Sequence, residues 1–198
     1  MKGAGFMEDH LNVLEKDPRK EFTNEETSAS KDDEICGKIL EYGKGILNSD
    51  VFRRTSAQTH HLHSTLFDHT INVCVMSILL SSKLEKRGEK VNEKDLVQAA
   101  LCHDLGMVSR SSKYKGTLDS WKRHPQESAR IARTLVPDMS RETEEMILSH
   151  MWPVSGPRPD TKEGRLLCIA DKYASMADWK SFLTRHRFAE RIKERLEQ

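Results

Sequence analysis

The chain has 198 residues, 36 % of them hydrophobic and 32 % charged, with a formal net charge of +1. That length suits one domain with a single core plus terminal extensions and is short for two independent domains. The near-balanced charge speaks against a generally basic nucleic-acid binder, and the lack of any run of about 18 apolar residues speaks against a membrane-spanning helix.

The charge is unevenly spread: residues 1–34 carry ten Asp/Glu against five Lys/Arg. Within them EFTNEETSASKDDE has neither an apolar stripe nor a run of strand formers, so residues 1–32 read as a mobile acidic leader. The N-terminal MKGAGFMEDHLNVLEKD has no signal-like apolar stretch, so a cytoplasmic protein is expected. From Asp33 the pattern turns periodic: Ile35, Ile39, Leu40, Ile46 and Leu47 recur at three- and four-residue steps, which predicts an amphipathic helix ending at Asn48-Ser49-Asp50. A second helix, from about Leu66 to Lys86, is apolar nearly all round, as a central buried helix would be, and Gly88 closes it. Asn92 then suits an N-cap, with Glu93 and Asp95 in a first turn that favours negative charge. This third helix runs through Leu96, Val97 and Leu101 to His103, and Gly106 is expected to stop it.

After the polar loop RSSKYKGTLDS, His124-Pro125 is expected to open a fourth helix, since proline in the first helical position costs no hydrogen bond. Ser140 caps a fifth, with Met146, Ile147 and His150 on its inner side. The segment 151–160 holds three of the six prolines and must be irregular. A sixth helix carries Leu166, Leu167, Ile169, Ala170, Asp171 and Tyr173. Residues 179–198 form a basic amphipathic helix whose Phe182, Leu183, Phe188, Ile192 and Leu196 should pack on the domain or on a second copy in a homodimer. Neither strand alternation nor a repeat is visible, so the fold class is all-α. Cys36, Cys74, Cys102 and Cys168 show no CxxC spacing and sit among apolar residues, as reduced core thiols do.

His69, His103, Asp104, His124, His150 and Asp171 fall within or at the ends of these apolar helical runs, where an unpaired polar group would cost several kcal/mol. A metal site would compensate them. Adjacent helical residues point about 100° apart, so His103 and Asp104 can converge on one ion only near a last turn, where Gly106 puts them. Imidazoles with carboxylates and no thiolate favour Fe, Mn, Co or Mg over a closed tetrahedral zinc site, with iron or manganese first and zinc still compatible. His69, His103, Asp104 and Asp171 would hold one ion; Asp104, bridging, with His124 and His150 would hold a second. Two such ions provide for phosphoester hydrolysis by an acidified water. Lys172, then Arg110 and Lys113, are the candidates to neutralise remaining phosphate charge, and His63 is assigned to the substrate pocket as a donor or acid.

In FDHTINV, LCHDLGM and IADKYASM the chain resembles the HD-domain superfamily of metal-dependent phosphohydrolases over roughly residues 55–178. The resemblance implies an HD-domain helical bundle, here of five to seven helices, over residues 33–178. The added pair His124 and His150 looks like the two-metal subgroup, which includes dinucleoside tetraphosphate hydrolases, cyclic-dinucleotide phosphodiesterases and diiron oxygenases. The chain lacks the Gly-Tyr-Pro motif of the cyclic-dinucleotide branch, and its short His150-to-Asp171 interval is as in the hydrolases. The expected function is therefore a metal-dependent phosphohydrolase acting on a phosphoester or phosphoanhydride of a small, nucleotide-like substrate. The alternatives are a diiron oxygenase on the same ligands and a regulatory nucleotide-binding module with little turnover.

Trp121, Trp152 and Tyr114 sit in or beside the loops that should rim this site, where packing on the bundle is favoured over stacking on a base. Met176 and Trp179 read as core. Glu127, one turn after His124, is either a group orienting that imidazole or a surface carboxylate. His60 and His61 divide evenly between loop surface and pocket rim, and His10 and His186 fit no pattern.

Overall fold

A computed structural model of the chain describes residues 25–61, 64–180 and 186–197. Among the described residues nine α-helices account for nearly all regular structure, and the two shortest have only four residues each. The seven longer ones match the bundle expected from the sequence. The order is α1 (Glu25–Leu47), α2 (Asp50–Arg53), a short hairpin of β1 (Thr59–His61) and β2 (Ser64–Thr65), α3 (Leu66–Glu85) and α4 (Glu93–Cys102). A 3-10 turn at Leu105–Met107 follows, then α5 (Arg110–Lys113), α6 (Thr117–Leu135), α7 (Arg141–Ser149), α8 (Lys162–Lys180) and α9 (His186–Leu196).

Helix α3 is the axis of the molecule. Fourteen of its twenty residues are buried, so it cannot present a solvated face and must be enclosed by neighbours. It packs on α4, α8 and α9, while α7 bridges α4, α6 and α8. Leu66, Ile71, Ile78, Leu80, Leu96, Leu101 and Met146 are among the largest fully enclosed side chains. Removing one of them to Ala would cost about 2–5 kcal/mol.

Caps follow the predicted chemistry at two helices. The Asn92 side chain accepts from the Asp95 amide at 3.2 Å, and the Ser140 hydroxyl accepts from the Thr143 amide at 2.9 Å, each contributing about 1 kcal/mol. Gly88 has φ +84°, the left-handed conformation that glycine adopts freely, just beyond α3. All four cysteines are free and buried.

Other boundaries differ from expectation. Helix α1 begins at Glu25, eight residues before Asp33. Its acidic residues Asp32 and Asp33 pair with Arg191 and Arg195 of α9, so the acidic excess early in the chain meets the basic residues at its end. Phe188 and Ile192 of α9 are buried against α1 and α3; Phe182 and Leu183 lie outside the described residues. Helix α8 runs to Lys180, so the final helix starts at His186. The two-stranded hairpin over 59–65 had no sequence signal, being three and two residues long.

Helix α6 starts at Thr117, not at His124, and so contains Pro125 in its interior. Proline cannot donate to the carbonyl four residues back, at a cost of about 3 kcal/mol if nothing compensates. Here that carbonyl, of Trp121, accepts from the Ser155 hydroxyl at 3.0 Å. Met176 is 67 % exposed, which corrects its reading as core: on α8 the inward face is taken by Leu167, Ala170, Asp171 and Ala174. The Trp179 side chain lies outside the described residues.

Candidate metal centre

Five helices deliver six polar side chains to one buried point. His69 sits in the first turn of α3, which is fixed by a capping box: the Thr65 hydroxyl accepts from the Asp68 amide at 3.2 Å, and Asp68 Oδ2 accepts from the Thr65 amide at 3.0 Å. His103 directly follows the last residue of α4, and Asp104 leaves the helix with φ −113° and ψ 11°. The change of backbone direction between them lets neighbouring side chains face the same space. His124 comes from α6, His150 from the residue after α7, and Asp171 from the middle of α8. All six are buried, none more than 8 % exposed.

Gly106 does not stop α4, which ends four residues earlier at Cys102. Its role is close approach. A Cβ there would lie 2.5 Å from the His124 carbonyl oxygen and 3.0 Å from the Ser128 amide nitrogen, so only glycine lets the Asp104 turn lie against α6.

The six residues form two groups: His69, His103 and Asp171, and Asp104, His124 and His150, with ligand atoms in each within 4.8 Å of one another. Asp104 lies between them. Its Oδ2 is 3.6 Å from His103 Nε2 and 3.9 Å from His69 Nε2. Its Oδ1 is 3.1 Å from His124 Nε2 and 3.6 Å from His150 Nε2. Asp171 Oδ1 completes the first group, 3.2 Å from His69 Nε2 and 3.8 Å from His103 Nε2.

The hydrogen bonds behind the imidazoles fix which nitrogen faces inward. His103 Nδ1 lies 2.7 Å from the Ala100 carbonyl, His124 Nδ1 2.8 Å from that of Ser120, and His150 Nδ1 2.7 Å from that of Ile147. A carbonyl can only accept, so each Nδ1 donates and each neutral ring presents a bare Nε2 to the centre. His124 Nε2 and His150 Nε2 are then 2.9 Å apart with lone pairs converging, an arrangement that needs a cation or a proton between them. His103 Nε2 is buried with no hydrogen-bond partner, a loss of about 1–3 kcal/mol unless an ion takes the lone pair.

The electrostatics point the same way. Burial pushes His103 down to about 4, so its ring is neutral at physiological pH. Burial would raise Asp104, but the surrounding imidazoles win and hold it well below the usual carboxylate range. Asp171 likewise stays low despite its burial, through His69 and the Lys172 ammonium. Two buried carboxylates that remain ionised, amid bare imidazole nitrogens, form a donor set for divalent cations. The spacing also fits: bonds of about 2.1 Å place the ligands of one ion about 3–4 Å apart. The residues present therefore fit two metal ions.

The remaining expected site residues are engaged with protein groups. Lys172 Nζ donates to the His150 carbonyl at 2.8 Å and lies 3.5 Å from Asp171 Oδ2, tying α8 to the end of α7. Arg110 donates to the Thr117 hydroxyl at 3.0 Å. Lys113 is 3.5 Å from Glu127. Glu127 itself takes a two-point contact from Arg130, at 2.8 and 2.9 Å, and His124 Nδ1 is satisfied by the helix backbone and not by Glu127. Of the rim aromatics, Trp121 is 38 % exposed, and the half-buried Tyr114 donates its hydroxyl to the Gly106 carbonyl at 3.0 Å. His63 lies outside the described residues, as do the side chains of His60 and His61. Sequence reasoning missed Ser120 and Ser128. They flank His124 at four-residue spacing, both fully buried, and small polar residues in that register on an otherwise apolar face were the available signal.

No helix among the described residues is long and apolar enough to cross a membrane. Neither a curated protein nor a solved structure matches the chain. The family model described as HD domain matches residues 66–176, from the start of α3 into α8 and across all six clustered residues. The chain therefore belongs to the HD-domain family, whose members are generally metal-dependent phosphohydrolases.

Proposed function

We propose that this protein is a two-metal phosphohydrolase that cleaves a phosphoester or phosphoanhydride bond in a small, nucleotide-like substrate. The observation that carries the reading is the division of the Asp104 carboxylate between two buried ligand groups, Oδ2 toward His103 and Oδ1 toward His124. Iron or manganese suits this nitrogen and oxygen donor set best, with Mg, Co or Zn as further candidates. Two such ions would supply an acidified water and Lewis acidity toward phosphoryl oxygens.

The protein's own part is preorganisation. Imidazoles held by backbone carbonyls with Nε2 facing inward, and ionised carboxylates, need little rearrangement to take up cations. Lys172 spends one of its three N–H donors on the His150 carbonyl and lies beside Asp171, so a remaining donor is available to a phosphate oxygen. Arg110 and Lys113 supply positive charge from the two ends of α5, which follows the His-Asp pair. Their present partners, Thr117 and Glu127, are exchangeable surface contacts worth under about 1 kcal/mol. His63 is the proposed proton donor to the leaving group.

The test is a release assay for phosphate and nucleoside products across nucleotides and an aryl phosphodiester, with Mn²⁺ or Fe²⁺ added back to chelator-treated protein. Metal-dependent turnover, lost in Asp104→Ala, is expected. Oxygen consumption without phosphate release would replace the hydrolase by a diiron oxygenase, and tight nucleotide binding without turnover would replace it by a regulatory module.

A further inference from the structure

Asp104 lies outside regular helix, yet its two oxygens must be held to within a fraction of an ångström if they are to serve two ions. The turn that follows it, Leu105–Met107, is fastened by three polar contacts from outside. The Gly106 amide donates to the Ser128 hydroxyl at 2.9 Å. The Tyr114 hydroxyl donates to the Gly106 carbonyl at 3.0 Å. The Ser120 hydroxyl approaches the Met107 sulfur at 3.1 Å. Both polar atoms of Gly106 are thus taken by side chains, one from α6 and one from the loop after α5. Ser128 stands four residues after His124 on the same face of α6, so its bond to Gly106 ties the Asp104 turn directly to the helix that carries His124.

We propose that Ser128 and Tyr114 are positioning residues that set the register of Asp104 against His124 and thereby the affinity of the second ion. This rests on the reading of Asp104 as a shared ligand. The asymmetry follows from the donor sets: without a well-placed Asp104, the first group keeps His69, His103 and Asp171, whereas the second keeps only His124 and His150. Loosening the turn should therefore weaken the second ion far more than the first. Groups that orient metal ligands typically change affinity by about 10- to 100-fold when removed, and that loss is expected at the second site alone.

The experiment is a titration of chelator-treated full-length protein with Mn²⁺, following free ion by electron paramagnetic resonance, for wild type, Ser128→Ala and Tyr114→Phe. Tyr114→Phe keeps the half-buried ring and deletes only the hydroxyl, so it remains informative if the buried Ser128 variant fails to fold. Two ions bound by wild type, with a roughly 10- to 100-fold weaker second ion and a nearly unchanged first ion in the variants, is the expected outcome. A lowered melting temperature with both affinities unchanged would reduce these residues to a structural role and overturn the inference, as would equal weakening of both ions. Wild type that binds one ion or none would overturn the shared-ligand reading itself, and that failure is visible before any variant is measured.

Discussion

Replacing Gly106 by alanine is the sharpest single perturbation the structure offers. The added methyl would meet the His124 carbonyl oxygen at 2.5 Å and the Ser128 amide nitrogen at 3.0 Å. Both are backbone atoms of α6, so neither can turn aside as a flexible side chain would. Ordinary contact begins near 3.4 Å, and the turn and α6 must separate by about 0.9 Å. Overpacking of this kind costs about 1–3 kcal/mol, and in a chain of this size each kcal/mol lowers the melting temperature by about 2–4 °C, giving a fall of roughly 2–12 °C. The same displacement stretches the 3.1 Å between Asp104 Oδ1 and His124 Nε2, so the second ion should bind about 10- to 100-fold more weakly. Thermal unfolding and metal titration measure the two effects separately. Gly37→Ala is the control, since a Cβ there meets nothing within 4 Å and alanine favours a helix by about 1 kcal/mol. A Gly106→Ala protein with the melting temperature and metal affinity of wild type would refute the close-approach reasoning.

Metal uptake should release protons. Burial lowers His124, but its contacts with Asp104 outweigh burial and hold it above the ordinary imidazole value. It therefore holds a proton more tightly than an ordinary imidazole does, an incoming ion must displace that proton, and apparent affinity should rise with pH. Calorimetry in two buffers of different ionisation enthalpy reads this directly; equal heats in both would show that no proton leaves. The thiols should be inert in the folded state, because burial pushes Cys102 and Cys168 up to about 12 and Cys74 well above its usual value. A thiol-specific disulfide reagent should titrate four groups in urea, and rapid reaction of these three in native buffer would contradict their burial.

Where sequence and structure agree, one residue's environment decided the local outcome. Helix α3 is apolar all round and has nowhere to be but the centre, and the Asn92 and Ser140 side chains cap their helices by accepting from backbone amides three residues on. The six clustered residues were legible because four histidines and two aspartates in apolar helices require a shared solution. Where they disagree, the deciding partner is remote. Pro125 reads as a helix start until Ser155, thirty residues on, takes the carbonyl that proline leaves free. Gly106 reads as a stop because its actual constraint, the backbone at His124 and Ser128, lies on another helix. The first turns of α1 have no apolar stripe, and what meets Asp32 and Asp33 is more than 150 residues away in α9. Met176 has the right residue type for a core but the wrong face of α8.

The central claim is that Asp104 is shared by two metal ions, and elemental analysis of anaerobically purified wild type and Asp104→Ala tests it most directly. Two ions per chain in wild type, falling to one or none in the variant, is the expected result. Two ions retained without Asp104, or no metal in the wild type, would contradict it.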